Sequence, residues 1–307
     1  MKIYTNKIKE SWIIDRVSDE WHKNNRDITT KKINESDIIW IIASWTWKKI
    51  PKKVLGRKKV IASIYHIDFK TFGEDEKKDF YEMDKYVDVY HVISLKTKEQ
   101  LKKLTDKNII SIPFWVNQKN WYPIEKKSEL RSKWGIGAND YLVGSFQRDT
   151  EGTDLESPKL IKGPDLLLNI LEGIKEYNKN LVVVLAGTRR QYMLKNLKKL
   201  EIDFKYFEMV DTIELNELYN ILDLYIVSSR LEGGPQAILE ASITKTPLVS
   251  TDVGVAPEIL HKNSIFEIGS FNEAIPMTDY AYFNSLKYTI PNGMDNFISM
   301  FKDLYEN

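Results

Sequence analysis

In the second half of the chain, "DYLVGSF", "LVVVLAG", "DFKYFEMV", "LYIVSS" and "PLVST" recur with a stretch of helical period between each pair. Each run is too short for an independent helix and rich in β-branched or aromatic residues, so it reads as a buried strand. The segments between them, "GPDLLLNILEGIKEYNK", "MLKNLKKL", "ELNELYNIL" and "PQAILEASI", read as helices. Strands alternating with helices build a parallel sheet covered by helices, and such sheets bind ligands beyond the carboxyl ends of their strands.

The first half carries the same alternation. "DIIWIIAS" (37–44), "KVIASIYH" (59–66) and "DVYHVIS" (88–94) read as buried strands, and "GEDEKKDFYEMDKYV" as an exposed helix with Phe80, Met83 and Val87 on its inner face. Between the halves, the proline- and glycine-containing run "PFWVNQKNWYPIEKKSELRSKWGIGAND" (113–140) reads as a linker plus a short helix. A length of 307 residues, 42% of them hydrophobic, favours two domains over one. The expectation is therefore α/β: two Rossmann-like, doubly wound domains over 1–120 and 121–288. A final segment, 289–307, has helical spacing in Met294, Phe297, Ile298, Met300 and Phe301 and no strand after it, so it is expected to pack back on the first domain.

Charge and composition narrow the function. The 45 basic and 44 acidic side chains nearly cancel, which gives no global signature of a nucleic-acid binder. With no cysteine, disulfide frameworks, thiolate zinc sites and cysteine nucleophiles are excluded together. The N-terminal "MKIYTNKIKESWIIDR" lacks the apolar core of a signal peptide, and no run approaches the ~18 apolar residues of a membrane span. A cytoplasmic protein is expected. The basic, tryptophan-containing stretch "SWTWKKIPKKVLGRKK" (44–59) reads first as a solvated edge, with weak peripheral attachment to an anionic membrane surface or a phosphorylated acceptor as the alternative.

The richest chemistry lies in "SSRLEGGPQAILEAS" (228–242). Its strand is expected to end near Ser229, and Pro235 suits the first turn of a helix. Gly233 and Gly234 leave a side-chain-free approach to that turn, where the N–H groups of Gln236, Ala237 and Ile238 and the helix dipole suit a diphosphate. Glu240 lies one turn deeper on the face of Gln236, placed to accept two hydrogen bonds from a ribose diol. Glu232, before the helix, is placed for sugar hydroxyls.

The segment resembles the E-x7-E motif of glycosyltransferases with the GT-B fold, especially family 4, the retaining group. Segments along the chain look like that family in the expected order: "NIISIPFWVNQKNWYP", "YLVGSFQRD…LIKGPDLLLNIL", "LVVVLAG", "ELNELYNILDLYIVSSRLEGGPQAILEA", which contains the motif, and "TPLVSTDVGVAPEIL". By position, Lys162 matches the family lysine on the donor diphosphate, and Arg148 is the best match to its companion arginine, although "DTEGTDLESPKLI" intervenes where the family has a short turn. His66 matches a histidine that faces the donor sugar, and Glu258 a position near the donor, with Gly254-Val255 in place of the usual glycine pair. "KESWIIDR" stands where many members place a glycine-rich loop.

The resemblance implies two Rossmann-like domains facing a central cleft, the first for an acceptor and the second for a nucleotide-diphosphate sugar, UDP- or GDP-linked. It implies sugar transfer with retention at the anomeric carbon, assigned to the EC 2.4 class of hexosyl-type transferases. His66, Glu232, Lys162 and Arg148 would be catalytic, and Gly233, Gly234, Gln236, Ala237, Glu240 and Glu258 would bind the donor. The acceptor, whether glycan, lipid-linked or other, stays open. No metal or other cofactor is expected, since the nearest acidic cluster, "DTEGTD", reads as a flexible loop. Arg189 and Arg190, after "LAGT", read as a solvated face rather than as nucleotide ligands. A sugar-nucleotide epimerase and a non-catalytic nucleotide-sugar-binding protein are the alternatives.

Overall fold

The computed structural model describes residues 1–6 and 13–307. The chain divides into two compact units, one made of 1–115 with 290–307 and the other of 116–289. In the first unit the order is β1 (Ile3–Thr5), α1 (Ile13–Asn24), β2 (Thr29–Thr30), β3 (Ile38–Ile41), α2 (Lys52–Leu55), β4 (Lys59–Ile64), α3 (Glu74–Asp84), β5 (Val89–Val92), α4 (Leu95–Leu101) and β6 (Asn108–Ser111). The strands form a parallel sheet in the order β2-β1-β3-β4-β5-β6. Of "KESWIIDR", residues 9–12 lie outside the described residues, and Ile13–Arg16 open α1.

Successive residues of β3 point to opposite faces, and both faces are covered. Ile38 and Trp40 enter one apolar cluster, Ile39 and Ile41 the other. The first of these clusters is completed by the chain's last helix. Phe297 stacks on Phe114 at 5.7 Å and meets Trp115 edge-on at 5.2 Å, while Phe301 lies 5.3 Å from both Trp21 and Trp40. Inside it, Trp40 Nε1 donates to Ser63 Oγ (2.9 Å), Ser63 Oγ lies 2.8 Å from His91 Nδ1, and His91 Nε2 donates to the Ile112 carbonyl (2.8 Å). Burial holds His91 down at about 4, so the ring is neutral.

The second unit comprises α5 (Lys127–Lys133), β7 (Tyr141–Ser145), β8 (Thr150–Glu151), β9 (Ser157–Pro158), α6 (Pro164–Tyr177), β10 (Leu181–Ala186), α7 (Gln191–Lys199), β11 (Asp203–Phe207), α8 (Thr212–Ile221), β12 (Leu224–Val227), α9 (Gln236–Ile243), β13 (Leu248–Thr251), α10 (Ala256–Ile259), β14 (Ile265–Phe266) and α11 (Thr278–Ser285). The terminal helix α12 (Asn292–Glu306) returns to the first unit. The sheet of the second unit is parallel, in the order β11-β10-β7-β12-β13-β14. From β7 the chain winds outward to β10 and β11, then returns to the other side of β7 for β12. The direction of winding therefore reverses between β7 and β12, where the loops leaving the strands diverge and open a crevice.

Three details depart from expectation. "DTEGTD" is not a loose loop: Thr150 and Glu151 pair antiparallel with Pro158 and Ser157 to form a hairpin. Pro235 caps α9 rather than entering it, since its ψ of 110° is non-helical. Short strands β1, β2 and β14 join the sheets from sequence with too few residues to show a period. In the basic stretch of the first unit, Lys48 and Lys52 pair with Asp79 and Glu82 of α3, Trp47 is buried, and Trp45 is 54% exposed.

Candidate donor site in the second unit

The loops after β7 and β12 carry the predicted residues to the reversal point of the sheet. The segment before α6 is strapped to the end of β12. Arg230 N–H and Leu231 N–H donate to the Ile161 carbonyl (2.8 and 3.2 Å), and Ser228 Oγ donates to the Gly163 carbonyl (2.9 Å). Arg230 also forks onto Asp165 at 2.7 and 2.6 Å. Gly163 makes the approach possible. Its φ is +63°, and a Cβ there would stand 1.9 Å from the Ser228 carbonyl oxygen.

This strap delivers Lys162 to Glu232. Lys162 Nζ lies 2.5 Å from Glu232 Oε1, which also accepts from Ser229 Oγ at 3.0 Å. Gln147 joins the group by donating from Nε2 to the Lys162 carbonyl (2.9 Å) and accepting at Oε1 from Ser229 (3.2 Å). Two residues chosen from separate motifs are thus an ion pair. Gln147 and Ser229 were not singled out by the sequence, because neither type is diagnostic outside its geometry.

Arg148 follows Gln147, and its Nε donates to the Thr150 carbonyl (2.9 Å). Among the described residues it has no carboxylate within 4.0 Å, and burial together with nearby Arg189 pulls its guanidinium below the usual arginine range. The expectation of a solvated face at 189–190 fails for Arg190, which is 0% exposed. Its Nε meets Asp149 Oδ2 at 2.5 Å, and Nη1 donates to the carbonyls of Ser145 (2.6 Å) and Ala186 (3.1 Å). Arg190 ties the ends of β7 and β10 together. The sequence hides this pair, whose members stand 41 positions apart.

Glu240 is buried, at 6% exposure, on the inner face of α9. Its Oε2 accepts from the Tyr219 hydroxyl at 3.0 Å. Burial, with Tyr225 and the carboxylate beside it, holds the Tyr219 hydroxyl well above the ordinary tyrosine range, so it stays a donor. At the start of α9 the Ile238 N–H is taken by the Pro235 carbonyl (2.9 Å), which corrects the expectation that it is open to a ligand; Gln236 and Ala237 occupy the first turn. Gly233 is buried and Gly234 half-buried. The turn after β13 presses on Gly233: Gly254 has φ +48°, and a Cβ on it would lie 2.3 Å from the Gly233 carbonyl oxygen. Val255 is buried where a second glycine was expected, and Glu258 lies half-buried in α10. His66 belongs to the first unit, exposed just beyond the carboxyl end of β4.

A cavity of about 460 Å³ lined by Tyr141, Asp223, Leu224 and Asn272 lies at the amino ends of β7 and β12, away from these residues. It has none of the convergent cations found around Lys162.

Residues 158–274 match the family model described as glycosyl transferases group 1. Across 98% of this chain and 99% of the other, the structure superposes on Anabaena Alr3699/HepE, solved in complex with UDP and glucose, with TM-score 0.77 at 12% identity. The fold is GT-B. Other GT-B structures agree. Sucrose-phosphate synthase from Thermosynechococcus elongatus gives TM-score 0.73 at 12% identity over 98% of this chain and 81% of that one. A glycosyltransferase from Rickettsia africae gives 0.64 at 16% over 98% and 84%. No curated protein sequence matches the chain. No helix among the described residues is long and apolar enough to cross a membrane.

Proposed function

We propose that this GT-B chain is a retaining glycosyltransferase of family 4 that moves a hexosyl group from a nucleotide-diphosphate sugar to an acceptor. The reading is carried by the Lys162–Glu232 pair, which stands at the reversal point of the second sheet inside the segment that matches the group 1 family model. A cation fixed against the loop that leads into α9 suits a diphosphate, and a carboxylate on the same cation suits the sugar attached to it.

In this reading Lys162 and Arg148 hold the diphosphate, with Gly233, Gly234, Gln236 and Ala237 letting it approach α9. Glu240 accepts from the ribose, Glu232 from the sugar, and Glu258 lies near the donor. The bond between the anomeric carbon and the β-phosphate oxygen breaks as charge builds on the departing diphosphate, where fixed cations lower the barrier. The acceptor oxygen bonds to the anomeric carbon on the same face and gives its proton to a departing phosphate oxygen. His66 acts on turnover from the first unit, which we assign to the acceptor. A cytoplasmic location is part of the same reading.

The Anabaena neighbour was also solved with UDP-glucose, which puts uridine first among the bases to test. The test is thermal stabilisation by UDP, GDP, ADP, CMP and their sugar conjugates, followed by product analysis with an acceptor panel. A shift with one diphosphate series and transfer of its sugar supports the reading. Folded protein that none of them stabilises overturns it, and release of an altered free sugar nucleotide without acceptor makes the chain an epimerase.

A further inference from the structure

The hairpin between Arg148 and Lys162 separates two residues that the family resemblance places close together, and it returns the chain with a lysine at its exit. We propose that Lys159 is a third cation for the donor diphosphate, acting with Arg148 and Lys162, and that the β8–β9 hairpin delivers it. The inference rests on the glycosyltransferase reading above and adds a ligand to it.

The delivery is built from backbone. Thr150 pairs with Pro158, and the Lys159 N–H donates to the Asp149 carbonyl at 2.8 Å, which seats Lys159 beside the residue that follows Arg148. On its other side the Lys159 carbonyl accepts from the Lys162 N–H at 2.8 Å. The base of the hairpin is held by the N–H groups of Asp149 and Thr150 on the Arg189 carbonyl (3.2 and 3.1 Å) and by the buried Asp149–Arg190 pair. Asp149 Oδ1 also accepts from the Thr150 hydroxyl at 2.6 Å. Arg189 Nη1 donates to the Gly152 carbonyl (3.0 Å), so the hairpin is braced from the loop after β10 as well.

The charges around this lysine do not balance. Arg148, Lys159 and Lys162 stand against Glu232, which is held by Lys162, and Glu151, which is half exposed and 4.0 Å from Lys159 Nζ. Three cations against two carboxylates leave an excess of one positive charge. Burial, and then Arg148, lowers the Lys159 ammonium from its ordinary value, as expected for a sheltered cation beside another cation. The Lys159 side chain is 23% exposed, sheltered yet open to a ligand. A diphosphate fits the sign of the imbalance.

The test is calorimetric titration of the full chain with UDP and UMP, or with GDP and GMP if the thermal panel selects guanine. Lys159→Ala is expected to weaken the diphosphate about tenfold or more, the scale of a charged hydrogen bond, and the monophosphate less. Lys159→Arg is expected to restore most of the loss. Glu151→Gln, at a half-exposed position, is expected to tighten the diphosphate. Equal weakening of mono- and diphosphate, or unchanged affinity in both Lys159→Ala and Glu151→Gln, overturns the assignment. Lys162→Ala is measured beside them. If it weakens the diphosphate while Lys159→Ala does not, only the third cation is lost; if neither matters, the donor site and the third cation fall together.

Discussion

Lys162 Nζ and Glu232 Oε1 stand 2.5 Å apart in the second unit, so the residue proposed for the diphosphate and the residue proposed for the sugar neutralise each other before any ligand arrives. A diphosphate must share Lys162 with this carboxylate. Glu232→Gln should therefore bind the free nucleoside diphosphate as tightly as wild type or more tightly, while turnover falls at least about tenfold, because sugar contacts are lost at the transition state. Lys162→Ala should cost about 1.5–3 kcal/mol in diphosphate affinity. Calorimetry with the free nucleotide and steady-state kinetics with the sugar conjugate check both; parallel loss of affinity in the two variants would mean that Glu232 supports the nucleotide rather than the sugar.

Glu240 accepts from a tyrosine hydroxyl that is itself fully buried. Glu240→Ala should weaken donor binding by about 1–3 kcal/mol and also lower the melting temperature of the empty protein, because the Tyr219 hydroxyl loses its acceptor. Adding Tyr219→Phe should recover part of the stability and none of the affinity. Thermal melts with and without nucleotide separate the two effects.

His66 is exposed at the end of β4 in the first unit. His66→Ala should reduce kcat more than donor affinity. Loss of affinity with kcat intact would recast it as a donor-binding group.

His91 predicts an acid-labile first unit. Its folded value is held at about 4 by burial, below the ordinary value of 6.5, so the unfolded chain takes up a proton that the folded chain refuses. Stability is full above about pH 6.5 and falls as pH drops toward 4, by at most about 3 kcal/mol from this group. Protonating Nδ1 would also set two donors against each other, since Ser63 Oγ donates to it. Replacing His91 with glutamine should flatten the pH dependence of the melting temperature between pH 4 and 6.5; an unchanged slope would remove His91 as the titrating group.

Most long strands were legible because both faces of each are buried: β10, "LVVVLA", reads as an unbroken apolar run for that reason. The strands of two or three residues, such as β2 and β14, exist only through their partners and carry no period of their own. At the candidate site, Glu232, Glu240 and Lys162 were visible through a motif that repeats in the family. Lys159, Gln147 and Ser229 were not, because they are brought together by the Gly163 crossing and the hairpin, which are properties of the backbone path. Arg190 was misjudged because an arginine after a strand is usually wet, and nothing in the sequence announces that Asp149 waits for it.

The return of α12 makes the two units unequal as pieces of chain. The second is one uninterrupted stretch, 116–289, whereas the first is interrupted by it and regains Phe297 and Phe301 only after the second has been synthesised. Expressed from its own gene fragment, the candidate nucleotide unit keeps every residue of its sheet. The first unit can be isolated only by splicing 115 to 290, and a ribosome cannot finish its aromatic core until the whole of the second unit has been made.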